Sequence, residues 1–123
     1  MIYLQYLLVP CLLFHAAQAA TVTYNWNIGW INANPDDRAV RPVIAINGKW
    51  PAPAVVGNVG DNVIVNVNNN LGNQSLTIHW HGIRQIGNNA NDGTPMVSQC
   101  SIIPGKNYTY TFTVRFGDRE IAK

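Results

Sequence analysis

Thr21-Val22-Thr23-Tyr24-Asn25-Trp26-Asn27-Ile28-Gly29-Trp30 is the stretch that decides the fold class. Val22, Tyr24, Trp26, Ile28 and Trp30 alternate with Thr21, Thr23, Asn25, Asn27 and Gly29, which is the period of a strand with one buried face. The alternation returns near the other end, where Tyr108, Tyr110, Phe112 and Val114 interleave with Asn107, Thr109, Thr111 and Thr113. Between these ends the pattern predicts strands at residues 42–46, 61–68 and 75–80. Turn formers separate them: Asn34-Pro35-Asp36-Asp37, Asn47-Gly48, Pro51-Ala52-Pro53, Gly57-Asn58, Asn69-Asn70-Leu71-Gly72 and Pro104-Gly105. Beyond residue 20 the only leucines are Leu71 and Leu76 and the only glutamate is Glu120, so strong helix formers are scarce, and no window carries a helical period. Short strands at this spacing imply an all-β chain, a Greek-key sandwich or barrel. Residues 82–101 alternate little and are rich in Gly and Asn; a loop of that length within a compact domain is usually functional or disordered.

The chain has 123 residues, 47% hydrophobic and 11% charged, with a formal net charge of +2. That is one domain, and too apolar and too weakly charged for disorder. Lys and Arg fall singly until Arg115 and Arg119, which argues against a nucleic-acid partner. Residues 1–19 read as a secretory signal peptide. Tyr6-Leu7-Leu8-Val9-Pro10-Cys11-Leu12-Leu13-Phe14 is too short to span a bilayer, and Ala17 and Ala19 fit a small-residue cleavage pattern. The competing reading is a buried N-terminal element, although no Lys or Arg marks the start of the leader. Removal of the leader takes Cys11 and His15 with it and leaves Cys100, His79 and His81. An odd cysteine in an exported chain points to a partner outside it or to a free thiol. Two sequons, at Asn73 and Asn107, agree with a secreted, extracellular protein carrying glycans.

His79-Trp80-His81-Gly82 is the chemical centre. On an extended chain His79 and His81 share one face while Leu76, Ile78 and Trp80 share the other. Paired imidazoles can chelate one metal or hold two neighbouring ones, and imidazole suits copper, zinc, iron and nickel alike. The alternative is two surface histidines on a solvated face. A metal site takes three or four ligands, and no third histidine follows the leader, so further ligands would have to come from elsewhere.

Several stretches together carry a family resemblance. These are Tyr24-Asn25-Trp26, Asn32-Ala33-Asn34-Pro35-Asp36, Arg41-Pro42-Val43-Ile44-Ala45-Ile46-Asn47-Gly48-Lys49-Trp50-Pro51, Gly60-Asp61, His79-Trp80-His81-Gly82, Asp92-Gly93, Ser98-Gln99-Cys100 and Pro104-Gly105. In this order they resemble the N-terminal plastocyanin-like (cupredoxin) domain of multicopper oxidases, and most of all the fungal iron-transport ferroxidases and laccases. The resemblance implies a cupredoxin-like domain at residues 20–114 and copper as the cofactor. It implies that His79 serves the type 2 copper of a trinuclear cluster and that His81 is a type 3 ligand. Asp92 matches an acidic residue near that cluster implicated in handling protons as dioxygen is reduced; the alternative is that Asp92-Gly93 is simply a turn. Cys100 matches a cysteine that pairs with a distant part of the full-length protein, against the alternative of a buried thiol.

The resemblance weakens at the end. Residues 115–123, Arg115-Phe116-Gly117-Asp118-Arg119-Glu120-Ile121-Ala122-Lys123, are rich in charge, hold no histidine and depart from the family pattern, as in read-through past an exon boundary. The domain is therefore expected to be incomplete at its C-terminal side. The function implied is a copper-binding N-terminal domain or fragment of a secreted multicopper oxidase. Its partners would be the remaining domains of the parent enzyme, dioxygen and a reducing substrate. The alternative is a non-catalytic secreted β-sandwich with weak or no copper binding. A complete small electron-carrying cupredoxin needs a histidine after its cysteine, which this chain lacks. A cupin expects a glutamate soon after His-x-His, where Ile83-Arg84-Gln85-Ile86 stands.

Overall fold

The computed structural model describes residues 18–118. The expected leader therefore lies outside the described residues except for Gln18 and Ala19, and so do residues 119–123 of the expected tail. Four strands form one open sheet: β1 (Thr21–Ala33), β2 (Arg41–Ile46), β3 (Asn62–Asn69) and β4 (Asn107–Thr113), in the order β2-β1-β3-β4. β1 pairs antiparallel with β2 through Ile28↔Ile46 to Ala33↔Arg41, and parallel with β3 through Thr21↔Asn62 to Ile28↔Asn69. β3 and β4 pair antiparallel from Asn62↔Thr113 to Asn68↔Asn107. The all-β reading holds, and the only helical residues described are a 3-10 turn at Asn89–Asn91.

Alternation explains the core. Val63, Val65 and Val67 on β3, Trp26 and Ile28 on β1, and Tyr110 and Phe112 on β4 point to one face and are buried with Leu71, Trp80, Ile83 and Ile102. The other face carries hydrogen-bonded polar side chains. Asn66 Nδ2 donates to Asn25 Oδ1 at 2.9 Å, Thr109 Oγ1 donates to Asn66 Oδ1 at 2.8 Å, and Asn68 Nδ2 donates to Asn27 Oδ1 at 3.3 Å. Trp30 departs from the expected buried face and is 43% exposed. Beyond Ile28 β1 has left β3 and keeps only β2 beside it, so the core no longer covers it. The Trp30 indole Nε1 instead donates to the Leu71 carbonyl at 3.2 Å.

The predicted strand at residues 75–80 is corrected. The chain makes a single bridge there, Leu76↔Ile102, and no ladder. Its backbone finds other partners: Ile78 N donates to the Tyr110 hydroxyl at 3.0 Å, and Trp80 N donates to the Asp92 carbonyl at 3.4 Å. A buried aromatic hydroxyl and a loop carbonyl thus replace a neighbouring strand, which meets the requirement that near-buried backbone groups be satisfied. Asn69 is fully buried and closes this layer. Its Nδ2 donates to the Gln74 and Ile102 carbonyls at 2.8 Å each, and its Oδ1 accepts from Leu71 N at 3.0 Å.

Candidate copper-binding site

Trp80 sets the position of both histidines. It is 1% exposed, stacks on Trp26 with centroids 5.9 Å apart, and meets Tyr110 at 5.5 Å and Phe112 at 4.8 Å. Its neighbours in sequence must therefore point away from the core, and His79 and His81 are both exposed. Their rings lie edge to face with centroids 5.8 Å apart. The expected sharing of one face by the two imidazoles holds without the ladder that was to enforce it.

His79 is further fixed by the loop. Its Nδ1 lies 2.7 Å from the Asp92 carbonyl oxygen. A carbonyl can only accept, so Nδ1 carries a proton, and in the neutral ring the lone pair is then on Nε2. A metal-binding histidine is commonly oriented in this way, with its other nitrogen donating to a carbonyl or carboxylate. The Asp92 carboxylate stands 3.7 Å from the same nitrogen through Oδ1, and its Oδ2 accepts from Thr94 Oγ1 at 3.0 Å. Asp92 thus lies beside His79, in the bend that follows the 3-10 turn.

Gly93 makes this approach possible, and the sequence reading gave it no role beyond the Asp-Gly turn. Its φ is +78°, and a Cβ there would collide with the Ile78 carbonyl and lie 2.9 Å from His79 Cα. Only glycine lets the loop lie flat on the histidine segment. Asn91 and Asn88 pin the loop to β4. Asn91 Nδ2 donates to Asn88 Oδ1 at 2.6 Å, Asn88 Nδ2 donates to the Thr111 carbonyl, and the Tyr108 hydroxyl donates to Asn91 Oδ1 at 3.2 Å. These asparagines had no signal in the sequence, because a polar residue in a polar loop looks the same whether it is buried or solvated.

The remaining candidates lie apart from the pair. Cys100 is an exposed free thiol, so its alternative reading as a buried hydrophobe is set aside. Asn73 and Asn107 are exposed, Asn73 in a bend and Asn107 at the start of the edge strand β4. Residues 115–118 close a turn against Arg84. Asp118 Oδ2 accepts from Arg115 N at 2.7 Å and Oδ1 accepts from Arg84 Nε at 3.2 Å. Burial pushes the Asp118 carboxyl up, but these donors outweigh it and hold its pKa below the ordinary value. Among the described residues no group of three or more His, Cys, Asp or Glu side chains converges, and no helix is long and apolar enough to cross a membrane. Two imidazoles, one already oriented, fit copper as a partial ligand set.

Comparison with known proteins bears on this geometry. The sequence profile described as multicopper oxidase matches residues 27–118. An iron transport multicopper oxidase of Gibberella zeae is 53% identical over 98 residues, which cover 80% of this chain and 16% of that protein. The crystal structure of Fet3p, described as a multicopper oxidase that functions in iron import, superposes with a TM-score of 0.75 at 41% identity, covering 78% of this chain and 18% of that one. The laccase from Botrytis aclada superposes with a TM-score of 0.70 at 42% identity, covering the same shares. The chain thus spans about one sixth of the length of the relatives it matches. Its open sheet is the cupredoxin-like fold of these enzymes, and the chain belongs to the multicopper oxidase family, whose cofactor is copper.

Proposed function

We propose that residues 20–114 are the N-terminal copper-binding domain of a secreted multicopper oxidase of the ferroxidase or laccase type. In this reading His79 and His81 contribute one His-x-His pair to a trinuclear copper cluster, and the other ligands come from the remaining domains of the parent protein. The observation that carries the reading is the orientation of His79, with Nδ1 donating 2.7 Å to the Asp92 carbonyl and Nε2 left free beside His81. Bound copper would supply one-electron oxidation of a phenol or of ferrous iron, coupled to reduction of dioxygen to water. The chain's own residues hold the imidazoles. Trp80 anchors them, the Asp92 carbonyl orients one through Nδ1, and the Asp92 carboxylate, partly exposed and beside His79, would relay protons. Cys100 pairs with a cysteine elsewhere in the parent, Asn73 and Asn107 carry glycans, and the leader at residues 1–19 directs export.

Grafting residues 20–114 in place of the matching segment of the Gibberella zeae relative tests the reading. The chimera should load copper and oxidise ferrous iron, and His79→Ala or His81→Ala should lower the copper content and abolish the oxidation. Full copper loading in spite of both substitutions would sink it. A second reading, a non-catalytic secreted β-domain that binds copper weakly or not at all, draws on the absence of a third ligand beside the pair among the described residues. It describes the chain by itself, for which oxygen uptake on phenol and ferrous iron should stay at background.

A further inference from the structure

Asp61 is 3% exposed, yet among the described residues no Lys, Arg or His forms an ion pair with it. A buried carboxylate is expected to have a cation partner or a full set of donors. The groups hydrogen-bonded to it are Ala20 N, 2.8 Å from Oδ1, and Asn58 N and Nδ2, at 2.8 and 3.3 Å from Oδ2. The Ala20 amide foremost, then those of Asn58, hold its pKa below the ordinary value, so the group is ionised. Oδ1 has one donor, and that donor is the backbone nitrogen of Ala20.

Among the described residues Ala20 is also the first that the fold grips. Its carbonyl accepts from Asn62 N at 2.8 Å, and β1 begins with the next residue, Thr21, paired with Asn62. Gln18 and Ala19 are exposed and make no hydrogen bond to the described residues. Independently, the small-residue pattern Ala17-Gln18-Ala19 places a cleavable bond directly after Ala19. We infer that the Ala19–Ala20 bond is a processing site and that the α-ammonium it releases is the counter-ion of Asp61.

The inference rests on the secretion reading, whose boundary at residue 19 it keeps, and adds what the new terminus does in the fold. A peptidase of the signal-processing class adds water across the amide. The carbon–nitrogen bond breaks, Ala19 leaves as a carboxylate, and the Ala20 nitrogen takes up a proton to become an ammonium. That nitrogen keeps its place against Oδ1 and gains a charge and two further donors, which turns an ordinary amide hydrogen bond into a charge-assisted one. Cleavage one residue later would remove both the donor to Asp61 and the acceptor of Asn62 N. Cleavage one residue earlier would leave a neutral amide there.

The full chain expressed in a secreting eukaryotic host gives the test, by N-terminal sequencing of medium and cell fractions. Ala20 should be first in the secreted protein. Ala19 or Thr21 first would overturn this inference and leave secretion standing, whereas Met1 retained on chain confined to cells would overturn both. The counter-ion is read separately by labelling with limiting amine reagent near pH 7, with the α-amine adduct resolved from lysine adducts by peptide mapping. A pKa raised by one unit lowers the free amine about tenfold, so the α-amine should label about tenfold more slowly in folded than in urea-unfolded protein. Asp61→Asn should restore the faster rate. Equal rates in folded and unfolded wild-type protein would overturn the pairing whether or not the variant folds.

Discussion

The four-stranded sheet and the segment that packs across it, residues 70–106, satisfy the same backbone requirement by different means. In the sheet the ladder does it: every strand borders another, and β3 is paired with β1 along its whole length and with β4 from Asn62 to Asn68. The facing segment has one bridge of its own to the histidine stretch, Leu76↔Ile102, and otherwise leans on a tyrosine hydroxyl, a buried asparagine and loop carbonyls. A ladder spreads the cost of a substitution over many bonds. The facing segment concentrates it on a few side chains, and the histidine pair sits in that segment. The site's geometry should therefore respond sharply to changes at a handful of residues and weakly to changes in the sheet's polar face.

Trp80→Ala is the hardest test of that contrast. It removes the ring packed on Trp26, Tyr110 and Phe112 and should cost about 4 kcal/mol, the usual range for a buried aromatic truncated to alanine. Urea unfolding followed by fluorescence would measure it. A loss below about 1 kcal/mol would mean that the facing segment is held by something other than its core ring. Gly93→Ala comes next, at about 3 kcal/mol, because it combines a strained positive φ with overlap against the Ile78 carbonyl. Its signature is local: the His79 imidazole resonances should shift while those of β3 amides stay in place.

These two residues also mark how far the sequence could be read. The sheet was legible because period-two alternation states both strand and facing: Trp26, Ile28, Tyr110 and Phe112 are buried where the pattern puts them. The boundaries at 42–46 and 61–68 differ from the observed β2 and β3 by one residue. The histidine pair stood out as a candidate, since His-x-His is conspicuous in a chain with so few histidines. Two things were hidden. The stretch at 75–80 has a strand's alternation but lacks a strand's neighbour, and alternation reports side-chain facing alone. Trp30 has the phase of the core, but β1 outruns β3 at Ile28, and the end of a neighbouring strand leaves no mark on the strand that outlives it.

Acid tests the anchor of the sheet's first strand. Asp61 ties the start of β1 to the loop before β3, and its lowered pKa means that it stabilises the fold when ionised. The sign follows: this contribution is complete above the ordinary carboxylate value of 3.8 and is lost as pH falls through the lower folded value. Stability measured from pH 6 down to pH 2 should fall in the wild type, and the fall should be shallower in Asp61→Asn. Identical slopes would remove Asp61 from the account of what anchors β1.

The smallest effect should lie on the polar face of the sheet. Asn66 donates to Asn25 on one neighbour and accepts from Thr109 on the other, so it links three strands through side chains alone. Such cross-strand pairs contribute about 0.2–1 kcal/mol each, and these lie on an exposed face where water can replace either partner. Asn66→Ala should therefore cost about 0.5 kcal/mol, because the β1–β3 and β3–β4 ladders on either side stay intact. A double-mutant cycle with Asn25→Ala would isolate the pair from the loss of each side chain separately. A coupling near zero keeps the contrast as drawn, with the ladder carrying the sheet. A coupling above about 1.5 kcal/mol, beyond what an exposed pair supplies, would show that the sheet too depends on a few side chains, and the distinction between the two regions would fall.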